Sequence, residues 1–319
     1  MTDQQKNSGW LETLMDGGLP QVLAGPAGKA ISRLIGAAAE IPAAKLEQIA
    51  QGIRDETKAK SQIMETLAEK SAELGLADQK LLERGLNSML GKAYREQLNR
   101  EEVARKTIEY LTDDPAPETS PGPSDDWMDV FEDYASKASS DSVRDMFSRI
   151  LAGEIRKPGD FSRATLHFVS ILDTEVAKII EKLSPYSIDN NFFPKDLCSK
   201  EVGYGEWLVL EEAGFLSFAG GNLSITQNPD AQGIIVFRMG VNLILYKPKN
   251  NNSINLPAVK LTLPGGQLLK TIEPKYKVEE FASWLWALNP DDVLIAEIGI
   301  GWDGKEFAKD PISFPKPIK

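Results

Sequence analysis

Chemistry in a protein depends on a small set of side chains, and this chain is sparing with them. It has one histidine, His167, and one cysteine, Cys198. A single histidine excludes a His-rich zinc site and makes any Ser-His-Asp relay depend on one residue. Asp173 and Glu175 lie downstream of it, but no Gly-x-Ser-x-Gly elbow precedes any serine, so His167 reads as a structural or surface residue. Cys198 lies in Asp196-Leu197-Cys198-Ser199-Lys200 with neither a CxxC partner nor an activating base, and reads as an inert thiol. The glycine pairs fail as phosphate cradles. Gly299-Ile300-Gly301 follows a strand pattern but runs into the turn Trp302-Asp303-Gly304, and Pro264-Gly265-Gly266 lacks a following Lys-Ser/Thr. Asp113-Asp114, Asp125-Asp126 and Asp291-Asp292 sit beside the Pro-rich stretch, at a helix start or after Asn289-Pro290, where solubility or capping explains them. No catalytic residue, metal ligand or cofactor-binding residue is assigned from sequence.

The totals bound the class. A chain of 319 residues suggests two or three structural units, and 42% hydrophobic with 26% charged residues describes a globular protein. A net charge of −11 argues against a nucleic-acid partner, because phosphate binding rests on lysine and arginine. A lone cysteine excludes an internal disulfide. The opening MTDQQKNSGW has neither the basic region nor the apolar run of a signal peptide, and no stretch approaches a membrane span. The expected location is cytoplasmic, with a peripheral membrane contact as a variant of that reading.

The elements follow from periodicity. Residues 125–184 read as four short helices. Trp127, Val130, Phe131, Tyr134, Ala135 and Ala138 form the first stripe, with Ser124 and Asp125 as cap. Val143, Met146, Phe147, Ile150, Leu151 and Ile155 form the second, opened by Ser140 or Asp141 and stopped by Lys157-Pro158-Gly159. Ser162 opens a third helix through Leu166 and Val169, and Asp173 a fourth through Val176, Ile179 and Leu183.

Before this unit, residues 45–111 read as a long helical arm of two antiparallel helices broken near Gly75 to Asp78, and 112–124 (TDDPAPETSPGPS) as a Pro-rich linker. Residues 1–44 hold a Gly/Ala-rich amphipathic segment. Its apolar face carries Leu19, Leu23, Ile31, Leu34 and Ile35, and Gly28, Ser32 and Gly36 form a small-residue ridge spaced four apart. These eight residues are the candidate interaction surface. A helix docked on the protein's own core, a membrane-surface element and a self-association element are the readings open there.

Residues 185–319 read as an α+β domain. Glu201 to Ala213 suggests a helix ended by Gly214, and Ala219-Gly220-Gly221-Asn222 suggests a hairpin between Phe215–Phe218 and Leu223–Thr226. Further strands are expected at 234–237, 241–246, 259–263 and 293–300, and helices at 265–272 and 278–288. Trp207 to Leu216 with its "AGFL" ending, the following strands, and Leu261 to Leu269 resemble a winged-helix module split by an insertion. Glu206, Glu211 and Glu212 give its helix the wrong charge for DNA, so protein contact is the better use.

The run Phe147 to Ser162, containing "ILAGEIRKPGDFS", followed by Thr165-Leu166 and Leu172-Asp173, resembles an uncharacterised bacterial family known only as a domain of unknown function. More loosely, the helical half is similar to the abortive-infection alpha family of phage-defence proteins. Neither resemblance supplies catalytic residues. The expected fold class is α+β, with a helical N-terminal half (long helical arm plus short-helix unit) and a C-terminal winged-helix-like module. The expected function is non-enzymatic: a protein partner or self-association, with a membrane surface as a further partner and a defence or stress role. A nucleic-acid-associated regulator and an enzyme of unrecognised type are the alternatives.

Overall fold

A computed structural model describes residues 25–36, 79–217, 224–288, 293–300 and 312–313. The chain divides into two compact units, one ending at Leu166 and the other beginning at His167.

The first unit is helical. α1 (Pro26–Leu34) starts with proline in its first turn, where a missing N–H costs nothing. It turns Ala27, Ala30, Ile31 and Leu34 inward, against α2 (Gln79–Asp113), α3 (Asp125–Lys137) and α4 (Asp141–Arg156). Burying Ile31 and Leu34 stabilises this docking by about 1.5–3 kcal/mol each. Arg33 fixes the orientation, with Nε 2.6 Å from Glu132, Nη1 2.8 Å from Asp125, and Nη2 on Asp129. Ser124 and Ser140 cap α3 and α4 by accepting from the N–H groups of Trp127 and Val143. The core joins Trp127 stacked on Phe131 at 5.0 Å and Phe147 edge-on to Phe131 at 5.7 Å.

Two expectations change here. α2 is one 35-residue helix, and among its described side chains the buried apolar ones, Val103, Ala104, Ile108 and Leu111, lie in its C-terminal part. Leu81, Met89 and Tyr94 stand exposed. The preceding helix of the expected arm lies outside the described residues. The Pro-rich stretch is not a free spacer. Ser120 Oγ donates to Ile155 O at 2.6 Å, and Arg156 donates to the carbonyls of Tyr110 and Asp114. Lacking large apolar side chains, the stretch is held through polar groups: its backbone, the Thr112 and Ser120 hydroxyls and the Asp114 carboxylate, 3.0 Å from Arg156 Nε.

α5 (Arg163–Ser170) crosses the division between the units. The helices expected as one four-helix group therefore part company: α3 and α4 pack on α2, whereas α6 (Thr174–Leu183) packs in the second unit on α8 (Tyr204–Glu212). A stripe identifies a buried face but does not name its neighbour.

The second unit contains β1 (Phe192–Pro194), α7 (Lys195–Cys198), β2 (Leu216–Ser217), β3 (Ser224–Gln227), β4 (Ile235–Met239), β5 (Asn242–Pro248) and β6 (Ile254–Leu261). α9 (Leu263–Leu269), α10 (Val278–Leu288), β7 (Val293–Ile300) and β8 (Ile312–Ser313) follow. β6 is the spine of one antiparallel sheet. β1 lies on one side, with Phe193 opposite Val259, and β2 and β3 on the other, with Leu216 opposite Leu261 and Gln227 opposite Ile254. The order α6–β1–α7–α8–β2/β3–β6 is winged-helix-like. β4 and β5 are inserted before the return strand and leave it to form a second sheet, ordered β4-β5-β7-β8. The turn of the hairpin expected at Ala219 to Asn222 lies outside the described residues; among those described, β2 and β3 each pair with β6. Gly214 ends α8 in the left-handed region at φ 80°, as its position suggests.

Candidate interaction surface

The groups with chemical potential occupy structural positions. Cys198 is fully buried, and burial pushes its thiol well above the ordinary range. His167 is an exposed residue in the last turn of α5. Asp125 pairs with Arg33 and Lys29, and Asp126 lies 3.8 Å from Arg163. Asp291-Asp292 and Gly301 lie outside the described residues. Among the described residues, no group of three or more His, Cys, Asp and Glu side chains gathers as a metal site.

Gly265 and Gly266 have a packing reason instead of a phosphate. A Cβ on Gly265 would stand 2.3 Å from Phe215 O, and one on Gly266 2.3 Å from Asn190 O. Close passage of backbone demands glycine at both positions.

The Gly153 to Ser162 run is a self-bracing loop. Phe161 lays its ring against Gly153, where a Cβ would come within 2.6 Å of it. Glu154 is buried and accepts from the N–H groups of Gly159 at 2.6 Å and Phe161 at 2.9 Å. Burial raises its carboxyl above the ordinary range, against the pull of those donors. Gly159 takes φ 88°, and Trp127 Nε1 donates to Phe161 O at 2.7 Å.

In the second unit, Tyr186 OH lies 3.0 Å from Glu201 and 3.2 Å from Glu280, one hydroxyl shared by two carboxylates. Lys277 Nζ donates to Glu280 at 2.7 Å and holds that carboxyl below its ordinary range. The arrangement ties the turn after α6 to α10.

The helix α8 remains. Its inward side places Trp207 and Leu210 in the core, where Phe193 lies 6.4 Å from Trp207 and 6.2 Å from Phe215. Its outward side carries apolar residues too, beside the exposed Gly205 and Glu212: Tyr204 is 65% and Val209 40% exposed, with Leu208 half-buried between them. A helix apolar on both sides is the pattern of one covered twice. The sequence YGEWLVLEE contains no lysine or arginine. Glu206 closes the helix start by accepting from Gly203 N–H at 2.9 Å and pairs with Lys182 at 3.0 Å, interactions that hold its carboxyl low. Glu211 and Glu212 sit at the far end.

The residues chosen from sequence lie elsewhere. Ile31 and Leu34 are inside the first unit; Gly28, Ser32 and Ile35 are half-buried; Gly36 is exposed beyond the end of α1. Leu19 and Leu23 lie outside the described residues. Tyr204 and Val209 are not among those eight; their exposure is visible only in the structure, although the apolar character around α8 is a signal in the sequence.

Residues 83–196 match the model of a family described as a protein of unknown function, DUF2806. The match begins within α2, takes in α3 to α6 and β1, and stops in α7, so α8 lies beyond it. No curated protein and no solved structure matches the chain.

Proposed function

We propose that the chain is a non-enzymatic interaction protein and that the outward face of α8 receives a polypeptide partner. The observation that supports this is the exposure of Tyr204 and Val209 on the helix that a winged-helix-like module turns outward. A DNA reader would need cations there to meet phosphates, and α8 offers glutamates. A defence role, suggested by the loose sequence resemblance of the helical half to abortive-infection proteins, sets the first place to look for the partner, in cells under phage challenge. The test compares the wild-type chain with Val209→Asp and Tyr204→Ala as affinity baits in such cells, and with purified candidates by calorimetry. Tyr204 and Val209 are both exposed, so both variants are expected to keep the wild-type melting temperature. A partner bound by wild type and lost from both variants supports the proposal. A partner bound equally by all three, or a salt-sensitive DNA complex that needs α8, overturns it.

A further inference from the structure

The inserted hairpin creates a feature that a plain winged-helix sheet would lack. Between the β4–β5 turn and the loop joining α9 to α10 lies a cleft of about 970 Å³, within the range of small-molecule sites. Leu269, Ile272 and Val278 give it apolar walls, and Val241, 72% exposed at the turn, stands at its edge. Tyr276 packs on the turn itself: a Cβ on Gly240 would fall 2.4 Å from its ring, so glycine at φ 62° lets the loop close on the hairpin.

The charges at the mouth are uneven in their partners. Lys277 is neutralised by Glu280 at 2.7 Å, and Lys270 and Glu273 have interactions of their own. Glu279 sits in the first turn of α10, where the helix dipole favours a negative charge. Lys275, in the loop between Pro274 and Tyr276, has no ionic partner among the described residues. The geometry points to a binding site for a small amphipathic acid, its apolar or aromatic body on Leu269, Ile272 and Tyr276 and its anionic group on Lys275. This site is separate from the α8 face and does not depend on it.

Two probes of matched shape test the assignment on the full chain: 8-anilinonaphthalene-1-sulfonate, an aromatic anion, and N-phenyl-1-naphthylamine, which lacks the sulfonate. Fluorescence titration is expected to show both bound by wild type. Lys275→Glu should weaken the sulfonate at least tenfold and leave the neutral amine within twofold, and Val241→Asp should weaken both. Val209→Asp, on α8, should change neither, and hydrogen exchange with the amine bound should slow at 240–242 and 269–278. Val241 and Lys275 are exposed, so both variants are expected to melt with wild type. Absence of binding overturns the site, as does binding indifferent to Val241→Asp and Lys275→Glu. Binding reduced by Val209→Asp while these two are silent assigns the probes to α8 and also overturns it.

Discussion

Glu154 takes two backbone N–H groups on one carboxylate; Gly159 is exposed, but removal of Glu154 strands the buried N–H of Phe161. Glu154→Ala is expected to lose about 1–3 kcal/mol, read as a lower urea midpoint, because a buried donor without an acceptor costs that much. Asp145 tests a different effect. Burial pushes its carboxyl upward, but Tyr110 OH at 2.7 Å and Arg149 Nε at 3.1 Å outweigh this and hold it below its ordinary 3.8. A depressed carboxyl stabilises the fold fully above the unfolded value and loses that effect as pH falls through the folded one. Asp145→Asn should therefore be less stable at neutral pH and show a flatter acid limb below pH 3.8 in chemical denaturation. At this scale sequence reading served for local chemistry: Ser124 and Ser140 cap as their positions suggest. It could not see Glu154 reaching five and seven residues onward, because the loop geometry that brings those donors together has no periodic signature.

Elements were legible where a pattern was local and long. Val278–Leu288 and Val293–Ile300 have the bounds expected from sequence. The pairing of β2 and β3 with β6 was less legible, because turn chemistry proposes a nearby partner whereas β6 lies far onward in the chain. The same long-range crowding gives a paired prediction on two helical glycines. Gly265→Ala drives a Cβ into Phe215 O and should cost about 1–3 kcal/mol through displaced packing. Gly85→Ala, exposed on α2 with nothing within 4 Å of its Cβ, should gain about 0.5–1 kcal/mol from reduced backbone freedom. Thermal melts of the two should move in opposite directions. An alanine tolerated equally at both sites would refute the packing account of Gly265.

For the whole molecule, the balance of charge and the absence of cations on α8 act together. With a net charge of −11, the chain should leave duplex DNA unshifted in a gel at about 50 mM salt, where a protein making several phosphate contacts binds most tightly. A retarded band that fades as salt rises would contradict this. The winged-helix-like order was legible in sequence because "AGFL" and the Leu261–Leu269 return flank an insertion of strand-like character. The division between Leu166 and His167 was not, since α5 runs through it without a proline or a change in composition.

Cys198 has a practical consequence for all of these measurements. It is the only cysteine in the sequence, it is fully buried, and its thiolate is suppressed by burial. A maleimide or spin-label reagent acts on exposed thiolates. The native chain is therefore a near-silent background for labelling: a cysteine placed at Val241 or Val209 can carry a probe without first removing the one that nature supplied.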